Sequence, residues 1–211
     1  MKLYGYFRSS AAFRVRIALN LKGLTVEHVP VHLVRNGGEQ KHKPFRLLNP
    51  QMLVPALELD DGSVLTQSLA IIEYLETVWP HPRVIPADPI QAARARAVAH
   101  AVACDIHPLN NLRVLNYLKG ELGAQKEAVE AWYKHWIEQG FDAIERLIQA
   151  GPFCFGNTAT IADICLIPQI FNARRYKMDI PRFPKIARVE AHCLDMPAFA
   201  AAVPDRQPDA E

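Results

Sequence analysis

Four prolines crowd into ten residues, PHPRVIPADP, at 80–89. Proline fixes φ and lacks an N–H, so it is excluded from helix interiors and central strands. No regular element can run through this stretch. It divides the chain into segments of different periodicity, and residues 81–88 are expected to be a linker. The domains on either side are expected to be 1–80 and 89–211. Half of the 211 residues are hydrophobic, enough for two modest cores.

Ahead of the prolines, strands and helices alternate. KLYGYF (2–7) reads as a strand, as does the β-branched run TVEHVPVHLV (25–34). Between them, AAFRVRIALNLKG places Phe13, Ile17 and Leu21 at helical spacing and stops at Gly23. PALEL (55–59) and SVLT (63–66) form a hairpin around Asp60-Asp61-Gly62, and SLAIIEYLETVW (68–79) is a helix. Beyond the prolines every pattern is helical. Asp88-Pro89 is an N-cap followed by a first-turn proline. The alanine-rich segment 90–118 reads as one long helix. A second, 124–149, carries Val129, Trp132, Trp136, Ile144 and Leu147 on one stripe. A third, 159–176, opens with a capping box from Thr160 to Asp163. The end, PDRQPDAE, is polar and expected to be loose. The predicted class is α/β plus all-α.

Charge and cysteine usage exclude several functions. Lys plus Arg is 24 against 22 for Asp plus Glu, so no global field draws the chain to nucleic acid or membrane. No apolar run approaches the roughly 18 residues of a membrane helix. Cys104, Cys154, Cys165 and Cys193 form no CxxC pair and read as buried free thiols of a reducing cytoplasm. The eight histidines do not cluster with cysteine or carboxylate, so no metal site is expected.

Three polar features lie at element boundaries. Arg8, Ser9 and Ser10 stand where the first strand hands over to a helix. A helix start exposes unpaired N–H groups and the positive end of its dipole. A serine there either caps the helix or donates its hydroxyl to an anion. Val54-Pro55 opens a strand. It is either an ordinary trans proline on an edge or a cis bond that leaves the Val54 backbone free to pair with an extended peptide. Gln67-Ser68 is a second polar helix start, able to cap its helix or to receive the carboxylate of an amino-acid ligand.

Taken in order, FRSSAAFRVRIAL, NPQMLVPAL, QSLAIIEYLE, IHPLNNLRVL, TIADICLIPQ and NARRYKMDI resemble the zeta class of cytosolic glutathione transferases over nearly the whole chain. The resemblance implies a thioredoxin-like domain (mixed sheet) followed by an all-helical domain, with glutathione as cofactor, a homodimer and a cytoplasmic location. It implies a glutathione-dependent cis–trans isomerase of maleylpyruvate in bacterial aromatic degradation. Maleylacetoacetate is the alternative substrate. Conjugation or dehalogenation of small electrophilic acids is a further alternative, and a non-catalytic glutathione-binding module ranks last. By the same resemblance Ser9 bonds the glutathione sulfur and Ser10 supports it. Val54 pairs with the cysteinyl backbone across cis-Pro55. Gln67 and Ser68 hold the γ-glutamyl end, and Gln40 lies near the glycyl end. His107, Asn111 and Arg113, on the long second-domain helix, line the ligand cleft. Arg175 faces a carboxylate of the small diacid substrate, with Arg8 a second anchor, whereas Arg174 and Lys177 belong to a solvated basic face. The zeta pattern is Ser-Ser-Cys, and here the third position is Ala11. The thiol therefore has to come from glutathione.

Overall fold

The computed structural model describes residues 1–211. Two compact units emerge, one of Met1–Arg83 with Asp195–Glu211, the other of Val84–Leu194. The first break lies within the proline-rich stretch. The end of the chain departs from the expected division, because residues 195–211 fold with the N-terminal unit.

That unit is built on a four-stranded mixed sheet in the order β2-β1-β3-β4. Strand β1 (Lys2–Gly5) runs parallel to β2 (Glu27–Pro30) and antiparallel to β3 (Ala56–Glu58), which pairs antiparallel with β4 (Val64–Thr66). The hairpin turns at Gly62, whose φ of 84° is the left-handed region glycine tolerates best. The expected strand 25–34 is shorter than its β-branched run. It ends at Pro30, opposite Gly5, the last residue of β1, and the Val31 N–H makes the final bond to the Gly5 carbonyl at 2.7 Å.

Helix α1 (Ser10–Leu21) joins β1 to β2 and is buried on nearly every side from Ala12 to Leu19, Arg14 and Arg16 included. Arg16 donates Nη2 to the Phe7 carbonyl and Nε to the Ala202 carbonyl, both at 3.0 Å. Burial lowers its pKa to about 10. Helices α2 (Lys43–Leu48) and α3 (Ser68–Val78) complete the unit. Buried Lys22 donates Nζ to Glu76 at 2.8 Å and to the carbonyls of Trp79 and Pro82, tying down the start of the linker.

Residues 204–211 are not loose. Pro204 is buried, Gln207 donates Nε2 to the carbonyls of Ala201 and Val203 at 2.9 Å, and Asp209 accepts the Phe7 N–H at 2.9 Å. Their polarity is spent on backbone groups that would otherwise lack partners.

In the second unit the expected single helix 90–118 is broken. Helix α4 (Pro89–His100) passes into a wider π turn (Ala101–Ile106), and α5 (Leu112–Gly120) restarts after a turn at 107–111. Pro108 cannot continue the ladder, and Asn111 recaps the chain by accepting the Arg113 N–H at 3.1 Å. Helix α6 (Lys126–Leu147) buries Val129, Tyr133, Ile137, Phe141 and Ile144. The expected stripe is thus displaced by one residue in its middle. Trp132 and Trp136 are only half-buried, and Leu147 is 54% exposed. An indole N–H needs a partner, and that of Trp132 reaches the Leu109 carbonyl at 2.9 Å. Gly140 lets α6 approach the π turn. A Cβ there would stand 2.1 Å from Ile106 Cδ1.

Helix α7 (Ile161–Arg175) carries the capping box, with Asp163 accepting from the Thr160 N–H at 2.8 Å and the Cys154 N–H at 2.7 Å. Helix α8 (Pro184–Asp195) closes this unit and α9 (Pro197–Ala200) lies in the other. Cys154, Cys165 and Cys193 are buried, but Cys104, on the outer side of the π turn, is exposed, contrary to expectation. No helix is long and apolar enough to cross a membrane.

Candidate active site

Strand register decides which boundary features meet. Ala56 of β3 stands opposite Tyr4 of β1 on one side and Thr66 of β4 on the other. The chain therefore leaves β1 toward Arg8-Ser9, enters β3 through Val54-Pro55 and leaves β4 into Gln67-Ser68 at one end of the sheet. Tyr6, Phe7 and Val54 pack in one apolar cluster beneath these turns. The starts of α1 and α3 both lie at that end, and first-turn N–H groups point out of a helix start.

Ser9 is the N-cap of α1, with its Oγ accepting the Ala12 N–H at 3.2 Å. A hydroxyl that accepts one bond still has its own hydrogen to donate. Ser10 is the first helical residue and is buried. Arg8 is exposed and held on an aromatic seat. Its Nε and Nη2 donate to Tyr6 Oη at 3.1 and 2.7 Å, and its guanidinium lies 5.1 Å from the Phe7 ring centroid. The preceding peptide is held at both ends, by Asp209 on the Phe7 N–H and Arg16 on the Phe7 carbonyl.

The Val54–Pro55 bond is cis. Val54 itself makes no backbone hydrogen bond within the chain, so its N–H and C=O are available to an added strand. Gln67 is a non-glycine residue at φ 69°, ψ 117°, a conformation that costs roughly 1–3 kcal/mol and is kept only where the surroundings enforce it. Its side chain donates to Gln51 Oε1 at 2.9 Å. Ser68 is buried and accepts from Arg14 Nη1 at 3.2 Å. Gln40 is 7% exposed. Its Nε2 lies 3.4 Å from the Leu33 carbonyl, and its Oε1 is buried with no partner. An orphaned buried carbonyl costs about 1–3 kcal/mol, so it is a position that a donor from a ligand would relieve.

The remaining expected residues lie in the helical unit. His107 and Asn111 bound the turn after the π segment, which Asn110 anchors by donating Nδ2 to the Tyr133 carbonyl at 3.0 Å. Asn111 spends its Oδ1 on the α5 cap, and Arg113 is exposed. These residues belong to a turn and a helix start, not to the middle of a long helix. Arg175 is exposed at the end of α7, with Nη1 3.4 Å from Asn172 Oδ1. It lines a hollow with Tyr176, whose ring stacks on Tyr133 at 3.7 Å, and with Lys177. Arg174 is exposed, as expected of a basic face, but its charge is paired, gripping Glu190 with Nε at 2.6 Å and Nη2 at 2.5 Å.

Four residues that bear on this arrangement escaped sequence reasoning. The sequence analysis assigns no role to Arg14, Arg16 or Tyr6, and it places Asp209 in an end expected to be loose, 202 positions from its partner. For the arginines a signal existed in the apolar residues flanking them on both sides. For Asp209 there was none.

The glutathione S-transferase N-terminal domain family matches residues 8–78, and the glutathione S-transferase C-terminal domain family matches 126–192. A probable maleylacetoacetate isomerase of Vibrio cholerae is 49% identical over 210 residues, 99% of this chain and 97% of that protein. A holo structure of maleyl pyruvate isomerase, a bacterial zeta-class glutathione S-transferase, is 46% identical with a TM-score of 0.96, covering 100% of both chains. Maleylacetoacetate isomerase from Methylobacterium extorquens AM1, solved with malonate and glutathione bound, is 40% identical with a TM-score of 0.95, again covering 100% of both.

Proposed function

Because the chain belongs to the glutathione S-transferase family, alongside its maleylpyruvate and maleylacetoacetate isomerases, we propose that it is a glutathione-dependent cis–trans isomerase converting maleylpyruvate to fumarylpyruvate. The observation that carries this reading is the strand register. It gathers Ser9, the cis Val54–Pro55 bond and Gln67-Ser68 at one end of the sheet.

Bound glutathione supplies the thiolate that this reaction needs, and it is regenerated. Ser9 donates its hydroxyl hydrogen to the sulfur while its oxygen keeps the Ala12 N–H. Ser10 and the start of α1 add donors and the positive end of the helix dipole, both of which favour an anion. Val54 offers one N–H and one C=O to the cysteinyl backbone. Gln67 and Ser68 hold the γ-glutamyl end, with Arg14 orienting the Ser68 hydroxyl from behind. Gln40 offers its unpartnered carbonyl toward the glycyl end. His107, Asn111 and Arg113 serve the ligand from the helical unit. Arg8 and Arg175 take the carboxylates of the diacid, since a planar guanidinium can grip a carboxylate with two bonds. Ala11 offers no nucleophile. A homodimer working in the cytoplasm completes the reading, on the strength of the family resemblance.

Maleylacetoacetate is the second reading, favoured by the 49% identity to the Vibrio relative. The test is isomerisation of each compound with and without glutathione. Trans product formed only with glutathione supports the proposal, and the ratio of kcat/KM values identifies the substrate. A stable glutathione adduct with no isomer would show conjugation instead.

A further inference from the structure

Residues 31–42 join β2 to α2 through two short turns, Arg35–Gly37 and Glu39–Lys41, and carry Gln40. The segment is organised around one side chain. His32 Nδ1 accepts the Arg35 N–H at 2.7 Å and the Val34 N–H at 3.1 Å. A ring nitrogen that accepts carries no hydrogen, so the ring's hydrogen stands on Nε2. Nε2 faces Glu211 Oε1 at 3.3 Å, and Arg35 pairs with the same carboxylate. The Tyr6 ring packs edge-on against the imidazole, with centroids 4.8 Å apart. The His32 backbone is held as well. Its N–H donates to Glu39 Oε2 at 2.7 Å, and its C=O accepts the Glu39 N–H at 2.8 Å.

These bonds converge on Gln40, the residue after Glu39. Leu33, the residue after His32, presents the carbonyl that Gln40 Nε2 approaches at 3.4 Å. Gly38 supplies an independent observation. A Cβ there would stand 2.7 Å from Gln40 Nε2 and 2.9 Å from its Oε1, so the amide lies folded over a residue that leaves room for it. The amide is held in place, yet its Oε1 is buried with no partner. Closing a surface loop does not require such a group, and leaving it unpaired is destabilising.

We propose that His32 is a positioning residue for glutathione, its Nε2–H tautomer fixing residues 31–42 so that Gln40 is presented to the glycyl end before the ligand arrives. His32 acts through the backbone and touches no reacting atom. A segment ordered in advance spares binding the cost of ordering it. The inference rests on the reading of Gln40 as the glycyl-end contact.

Asparagine places Oδ1 near the position of His32 Nδ1 and can accept the same two N–H groups. Glutamine extends its amide toward the position of Nε2 and leaves them unpaired. Calorimetry with glutathione alone should give His32→Asn a Kd within about twofold of wild type, and His32→Gln one about tenfold weaker. In turnover the loss in His32→Gln should fall on KM for glutathione, with kcat at saturating glutathione retained. Nitrogen NMR of the imidazole ring, which needs no variant, should show a bare Nδ1 in the wild-type protein. Gln40→Ala should weaken glutathione as His32→Gln does, and the two together should add little to either alone. Equal Kd values for the asparagine and glutamine variants would overturn the proposal, as would a hydrogen on Nδ1. Full glutathione affinity in Gln40→Ala beside a loss in His32→Gln would overturn the route through Gln40. Because affinity and ring state are read without substrate, failure here is separable from failure of the isomerase reading.

Discussion

Ser9 is given two tasks at once, and the structure makes them separable. Its oxygen accepts the Ala12 N–H at 3.2 Å, and its hydrogen is assigned to the glutathione sulfur. Ser9→Ala removes both, whereas Ser9→Gly removes the hydroxyl but leaves a residue that caps almost as well. Losing the cap should cost about 1 kcal/mol in the alanine variant and only a few tenths in the glycine variant. In a chain of this size that is about 2–4 °C in Tm for Ser9→Ala and little for Ser9→Gly. A hydrogen bond to a charged acceptor contributes about 1.5–3 kcal/mol, or roughly 1–2 pKa units. Its loss raises the pKa of the bound thiol. The thiolate fraction near neutrality should then fall about tenfold or more in both variants, with kcat falling alongside. The thiolate is followed by ultraviolet absorbance of the glutathione complex against pH, and stability by denaturant titration. Two variants that differ in stability yet share one raised thiol pKa would match the assignment. Wild-type thiol titration in Ser9→Gly would refute it and leave Ser9 a cap only.

Other residues make further claims. Arg175→Ala should lower kcat/KM for the diacid through KM while leaving glutathione affinity in place, and unchanged steady-state kinetics would remove it from the site. Asp209 holds the Phe7 N–H at 2.9 Å, just ahead of Arg8-Ser9. Asp209→Ala should raise KM for glutathione and shift the bound thiol's pKa, with Asp209→Asn, which keeps an acceptor, restoring most of the loss. A drop in Tm without a thiol shift would make the contact purely structural. Burial holds the Asp163 pKa above the ordinary carboxylate range, against the opposing hydrogen bonds from Cys154 and Thr160. A folded-state value above the unfolded one means that Asp163's contribution is full below the unfolded pKa and declines as pH rises through the folded one. The stability advantage of wild type over Asp163→Asn should therefore shrink from about pH 4 upward in denaturant titrations, and growth of that advantage would contradict the assignment.

The boundary positions of the candidate site residues were legible because their signals are local. Ser9, Gln67-Ser68 and Val54-Pro55 each stand at an element boundary, and boundaries are written in short-range signals: a cap, a proline, a turn. The capping box at Thr160 was legible for the same reason. The long helix 90–118 was misread because alanine-rich periodicity persists through Pro108, and nothing local announces a π turn. The α6 stripe was misread by one residue because hydrophobicity alone ranks tryptophan as core, whereas the N–H of Trp132 draws it toward the Leu109 carbonyl at the boundary.

What the sequence determined by itself was the set of elements, their order and the polar residues at their starts, since these follow from backbone chemistry within a few residues. Tertiary structure decided which of those starts meet, through the register that sets Ala56 between Tyr4 and Thr66. It also buried Arg14 and Arg16 as donors, docked residues 195–211 on the N-terminal unit, and brought cations from three helices around one hollow. Each of these depends on groups far apart in the chain, where hydrogen bonding and charge act through space and leave no periodic trace in the sequence.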